Sequence, residues 1–115
     1  MPVIDIRCTP ITAHKRDALA REVFSAVQPI LARPAVDIVF HEGVVYANGV
    51  AAEPLDRLLV TVTVSTLPDG AMAEFGEAFT KAARHALEQP NLFTVIMFNV
   101  LGADSVLLNF PPADK

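Results

Sequence analysis

Between Val3 and Cys8 apolar and polar positions alternate. Ile4, Ile6 and Cys8 fall on one side, and Val3, Asp5 and Arg7 on the other. A period of two predicts a strand with one core face. The pattern then changes. Leu19, Val23 and Val27 recur every fourth residue, with Ala20 and Phe24 beside them, which predicts a helix over residues 13–28 capped by Thr12. Pro29 is expected to kink or end that helix. Pro34 leads into a second strand at roughly Val36–His41. Glu42–Pro54 carries Gly43, Asn48 and Gly49 and reads as a loop, with a short hairpin at Val44–Tyr46.

The second half repeats this order. Leu58–Ser65 is rich in β-branched residues and reads as a strand. Pro68-Asp69-Gly70 turns the chain, and Asp69 is expected to cap a helix over about residues 71–88. Its apolar stripe is Met72, Phe75, Phe79, Ala82/Ala83 and Ala86. A strand at Phe93–Val100 follows Pro90. Gly102–Asp104 turns into a short last strand at Val106–Phe110, and the tail Pro111–Lys115 is expected to be loose.

The chain matches itself without a gap when Val3 is set on Leu59. Leu19 then falls on Phe75, Val23 on Phe79, and Arg33-Pro34 on Gln89-Pro90. This predicts a single domain, 1–115, of two tandem β-α-β units, with pseudo-repeats at about 2–56 and 57–112. Crossovers of this kind are right-handed. The expected fold class is α+β: a four-stranded mixed sheet with two helices on one face. Asp5, Arg7, Thr61, Thr63 and Ser65 then point away from the helices. The same element order occurs in ferredoxin-like folds, among them dimeric ligand-binding modules, so order alone leaves enzyme and binding module both open.

Composition adds an assembly. The chain has 115 residues, of which 52% are hydrophobic, and its mean hydropathy is +0.40. A domain of this size has limited interior, so the surplus predicts apolar surface shared between subunits. Its longest apolar runs, Val36–Phe40 and Leu92–Phe98, are broken by polar residues and fall short of the roughly 20 residues that span a bilayer. No basic segment followed by an apolar one marks a leader. The lone Cys8 suits a reducing cytoplasm. A net charge of -4 argues against nucleic-acid partners, which call for a basic face. His14, His41 and His85 have no metal-ligand spacing, and no Gly-rich loop offers a phosphate site, so no metal or cofactor is expected. Cys8, on the core face, reads as a buried thiol. His41-Glu42 reads first as a surface pair.

One residue carries distinctive chemistry. With Met1 removed, Pro2 is a secondary amine at the tip of a strand, basic and nucleophilic. With Met1 retained, its nitrogen is an inert amide.

A proline directly after the initiator methionine, opening a strand in a chain of two β-α-β units, resembles the tautomerase superfamily. The layout is similar to the branch holding macrophage migration inhibitory factor and 5-carboxymethyl-2-hydroxymuconate isomerase. At residue level the resemblance rests on Pro2, Arg33-Pro34 and Leu107-Leu-Asn-Phe110. It implies a homotrimer with sites at subunit boundaries, and a keto–enol isomerase acting on a small carboxylate. Pro2 would be the catalytic base. A free α-amine titrates near roughly 7.7–8, and an apolar pocket lowers that value towards neutrality. Arg33 would hold the substrate carboxylate; its alternative is a cation at a helix C-terminus. Asn99, beside Phe98, would donate to a developing enolate oxygen. Arg7 would contact substrate or pair with an acid across the trimer. The strand around Val95-Ile-Met-Phe98 lacks the tyrosine of the migration-inhibitory-factor branch, and the chain's one tyrosine is Tyr46. A trimer of this fold without catalysis, and a ferredoxin-like small-ligand-binding module, are the alternatives.

Overall fold

The structure is a computed structural model and describes residues 1–112. Six strands and two helices run in the order β1 (Val3–Cys8), α1 (Ala13–Leu31), β2 (Asp37–Glu42), β3 (Tyr46–Ala47), β4 (Val50–Ala51), β5 (Arg57–Val64), α2 (Ala71–Leu87) and β6 (Phe93–Val100). The main sheet has the order β2-β1-β5-β6. β1 runs parallel to β2, β5 runs parallel to β6, and the two inner strands are antiparallel. Each parallel pair flanks one helix, so the two β-α-β units meet along β1 and β5.

Both inner strands alternate strictly. Ile4, Ile6 and Cys8 of β1 are buried, as are Leu58, Val60, Val62 and Val64 of β5. Helix α1 covers them with Leu19, Val23, Val27 and Leu31. Helix α2 adds Phe75, Phe79, Ala83 and Leu87. Phe75 is the hub: its ring stacks on Phe79 at 5.9 Å and meets the edge of Phe98 at 5.3 Å. Burying each of these large side chains contributes about 1.5–3 kcal/mol.

The caps and ends differ from the sequence reading in four places. Thr12 does cap α1, accepting from the Lys15 amide at 3.3 Å. Pro29 neither ends nor replaces the last turn, because α1 continues to Leu31. The missing amide of Pro29 lies on an exposed position near the helix end, and burying Leu31 favours the extra turn. Ala32 then closes α1 in the left-handed region, at φ 54°. The cap of α2 is Gly70 at φ 77°, with no side-chain bond, and not Asp69. A glycine adopts that conformation without a Cβ clash. Met72 is exposed, and Ala71 takes its place in the buried stripe. The hairpin sits at β3–β4, not Val44–Tyr46: Asn48 and Gly49, both with positive φ, form the two-residue turn.

Val106 is extended after a 3-10 turn at Ala103–Ser105. The expected strand Val106–Phe110, however, pairs with no strand among the described residues. Leu107 is 84% exposed and Phe110 71%. The reading of a loose tail falls partly on residues 113–115, outside the described residues.

Candidate active site

The strand register brings several sequence-predicted residues to one end of the sheet. Pro2 immediately precedes β1 and is buried. Its carbonyl accepts from the Asp37 amide at 3.1 Å, which fixes the start of β1 against the start of β2. Val3 lies opposite Thr63, and Thr63 lies beside Asn99. Asn99 is therefore two strand spacings from the start of β1, about 10 Å.

Arg33 arrives at the same end from α1. The Gln28 side-chain amide donates to the Arg33 carbonyl at 2.6 Å, so the helix end holds the residue's backbone. The Arg33 guanidinium donates through Nη2 to Thr66 Oγ1 at 2.8 Å, just past the end of β5. No carboxylate of the described residues pairs with it. It is a half-buried cation with N–H groups to spare, which suits a carboxylate ligand.

Asn99 and Phe98 are adjacent in sequence and lie on opposite faces of β6. Asn99 is exposed on the face away from the helices. Phe98 turns to the helices and packs against Phe75. Its ring is core, so a place in a substrate pocket does not follow from this chain.

Arg7 lies elsewhere. It is four residues along β1 from Val3, about 13 Å away at the usual rise of a strand. It pairs in register with His41. His41 does not pair with its neighbour Glu42. Its Nε2 meets Asp5 Oδ1 at 2.8 Å, a diagonal contact between adjacent strands. Glu42 instead accepts from the Ile11 amide at 3.0 Å and pairs with Arg16 at 2.6 Å. The Ile11 bond, helped by Arg16, holds the Glu42 carboxyl below its usual range. Burial, and then Glu42, push the Cys8 thiol up, against a smaller opposing pull from Arg16. That leaves Cys8 protonated and unreactive.

Sequence reasoning missed Thr66 and the Asp5–His41 pair. Alternation put Asp5 on the right face, but the neighbour of β1 that would meet it depended on strand order. Thr66 gave no signal, because its partner is 33 residues distant in sequence. No group of three metal-ligating side chains converges among the described residues, and no helix of them is long and apolar enough to cross a membrane.

No family model matches the chain, and no curated protein matches it. Solved structures do. Native fused 4-OT superimposes with a TM-score of 0.81 at 12% identity, over 92% of this chain and 91% of that one. N1, a member of the cis-3-chloroacrylic acid dehalogenase family, gives 0.75 at 16% identity, over 92% and 79%. Macrophage migration inhibitory factor of Toxoplasma gondii gives 0.70 at 17% identity, over 92% and 95%. These are tautomerase-superfamily structures, and this chain has the tautomerase fold.

Proposed function

We propose that the protein is a tautomerase that moves a proton between the keto and enol forms of a small carboxylate, with the amine of Pro2 as base. The observation that carries this reading is the buried position of Pro2 at the head of β1, on a fold shared with tautomerases, at the sheet end that also holds Arg33 and Asn99.

The chemistry asks little of each group. With Met1 removed, the Pro2 nitrogen carries a lone pair. Burial disfavours its charged form, which leaves it free to accept a proton near neutral pH. It takes the proton of the enol hydroxyl as the C–C double bond shifts, and the same proton is returned to carbon. Arg33 holds the carboxylate by a two-bond fork. Asn99, from its exposed face, donates to the oxygen where charge develops.

Asn99 lies two strand spacings, about 10 Å, across the open sheet from the head of β1, so one chain does not enclose a substrate. A homotrimer, with each site completed by a neighbour, supplies the missing wall. Trimers of fused 4-OT share the fold. The exposed Met97, Val100, Leu107 and Phe110 are apolar surface that assembly would cover. The absence of a tyrosine around Phe98 favours a second reading, a trimer of this fold without catalysis.

The test begins with the intact mass of protein from its native cells. Loss of Met1 exposes the amine. Ketonisation of phenylenolpyruvate is then expected, with Pro2→Ala lowering kcat by about 10²–10⁴. A related protein of this fold, Pt0534, is inactivated by 2-oxo-3-pentynoate. The same compound is expected to add covalently to the Pro2 nitrogen through its alkyne. A mass that retains Met1, or rates untouched by Pro2→Ala, would sink the proline mechanism and leave the non-catalytic trimer.

A further inference from the structure

We propose that Gln28 is a positioning residue of the site: it holds the backbone of Arg33 so that the guanidinium is presented to a substrate carboxylate at the Pro2 end. Gln28 has this role only if Arg33 holds the carboxylate, as proposed above. It touches neither the substrate nor the reacting atoms.

Gln28 closes the end of α1 twice. Its backbone carbonyl accepts from the Ala32 amide at 3.0 Å, and its side-chain amide donates to the Arg33 carbonyl at 2.6 Å. Between these bonds Ala32 stands at φ 54° and ψ 42°. A residue with a Cβ is disfavoured in this left-handed region and keeps to it where the surrounding bonds require it. The chain turns off the helix there and brings Arg33 round. Pro34 disfavours helical backbone at Arg33. The Asp37 amide, bonded to the Pro2 carbonyl at 3.1 Å, ties the far end of the connection to the head of β1. The guanidinium then reaches Thr66 at 2.8 Å.

The internal repeat supplies the comparison. The offset that sets Val3 on Leu59 also sets Gln28 on Arg84, Ala32 on Glu88 and Arg33-Pro34 on Gln89-Pro90. Glu88 repeats the left-handed exit at φ 55°. Arg84 repeats the reach past the helix end, donating through Nε and Nη2 to the Leu92 carbonyl at 3.1 and 3.0 Å. The two clamps differ in what they hold. In the second unit the carbonyl belongs to the residue before β6. Gln89, the counterpart of Arg33, is fixed there by the backbone, its amide donating to the Arg84 carbonyl at 3.0 Å. The Arg33 amide makes no such bond to the backbone among the described residues. In the first unit the side-chain clamp has moved onto the residue that carries the cation. That clamp is also neutral. An arginine at position 28, as at 84, would set a second positive charge beside Arg33, whereas an amide donates without one.

The test is Gln28→Met, which keeps an unbranched side chain of similar length and removes the donor. Loss of one neutral hydrogen bond is expected to raise KM for phenylenolpyruvate about 3- to 10-fold and to leave kcat within about 2-fold. ¹⁵N relaxation is expected to show a lower order parameter at the Arg33 Nε. In an Arg33→Ala background the same substitution is expected to leave KM unchanged, which a merely structural role would not give. Titration with hydrocinnamate, a carboxylate without a keto or enol group, is followed at the Thr66 amide and is independent of proton transfer. Its binding is expected to weaken by the same factor in Gln28→Met. Equal rises of KM in both backgrounds, or an unchanged order parameter at Arg33, would overturn the proposal. So would hydrocinnamate binding that weakens on Arg33→Ala and not on Gln28→Met, which leaves the reading of Arg33 standing. Indifference to Arg33→Ala itself would remove that reading and the role of Gln28 together. Weaker binding in Gln28→Met, in a protein that ketonises nothing, would support the positioning and sink the proline chemistry alone.

Discussion

Arg33 donates to Thr66 at 2.8 Å and so joins the exit of α1 to the exit of β5, two points that only the folded sheet brings together. The bond holds a guanidinium at the end of the sheet where β1 begins, while leaving most of its N–H groups unused. If that cation binds the substrate carboxylate, Arg33→Ala raises KM about 10-fold or more, since hydrogen bonds to charged groups contribute about 1.5–3 kcal/mol. Thr66→Val is expected to give a smaller rise, because the charge remains but its position is less fixed. Steady-state kinetics on both variants checks this. An unchanged KM in Arg33→Ala would reduce Arg33 to a tie between helix and strand.

Phe75 touches both Phe79 and Phe98 and is fully buried. Phe75→Ala is expected to cost about 3–5 kcal/mol in urea unfolding, the usual range for a buried phenylalanine. Phe98→Leu is expected to lower stability while leaving KM alone, because its ring belongs to the helix side. A raised KM with unchanged stability would place Phe98 against substrate instead.

Acid should loosen the junction around Glu42. Its carboxyl titrates below the usual value near 4.5, chiefly because the Ile11 amide donates to the charged form. A depressed folded value means that this stabilisation is complete above about pH 4.5 and is lost as pH falls through the folded value. Asp56, held low by Arg57, acts with the same sign. Urea midpoints from pH 7 to pH 3 should therefore fall on acidification, and Glu42→Gln should flatten the curve.

Cys8 is expected to resist thiol reagents. It is buried between sheet and helices, and burial raises its pKa. A disulfide reagent at pH 8 should react slowly with native protein and at once in urea. Fast reaction in the native state would show that the strand end opens.

Val106–Phe110 is extended and apolar, and pairs with no strand of its own chain among the described residues. If it is a contact between copies, a chain ending at Ser105 should not form the homotrimer proposed above. Sedimentation is expected to show smaller species, while circular dichroism keeps the helix signal of α1 and α2. A trimer that survives the truncation would put the contact on the open sheet face alone.

Most of the fold was legible in the sequence because alternation and four-residue spacing are local properties. Ile4 and Ile6, or Leu19 and Val23, report their faces whatever they pack against. The repeat linking Val3 to Leu59 announced two equivalent units. Caps were less legible. Asp69 was the residue whose side chain suits a cap at the start of α2, yet the turn geometry puts Gly70 there.

The site was legible in part. The sequence by itself determined that a proline heads the first strand, that an arginine follows the first helix, and that Asp5 and Arg7 share a face. The tertiary structure decided who meets whom. Strand order put β2 and β5 on either side of β1, which turned Asp5 towards His41 and left Arg7 unpaired. The same order set Asn99 beside Thr63 and sent Phe98 to the core. Side-chain period fixes a residue's face, but contacts between strands depend on pairing and register, and those are set by the whole sheet closing on its helices.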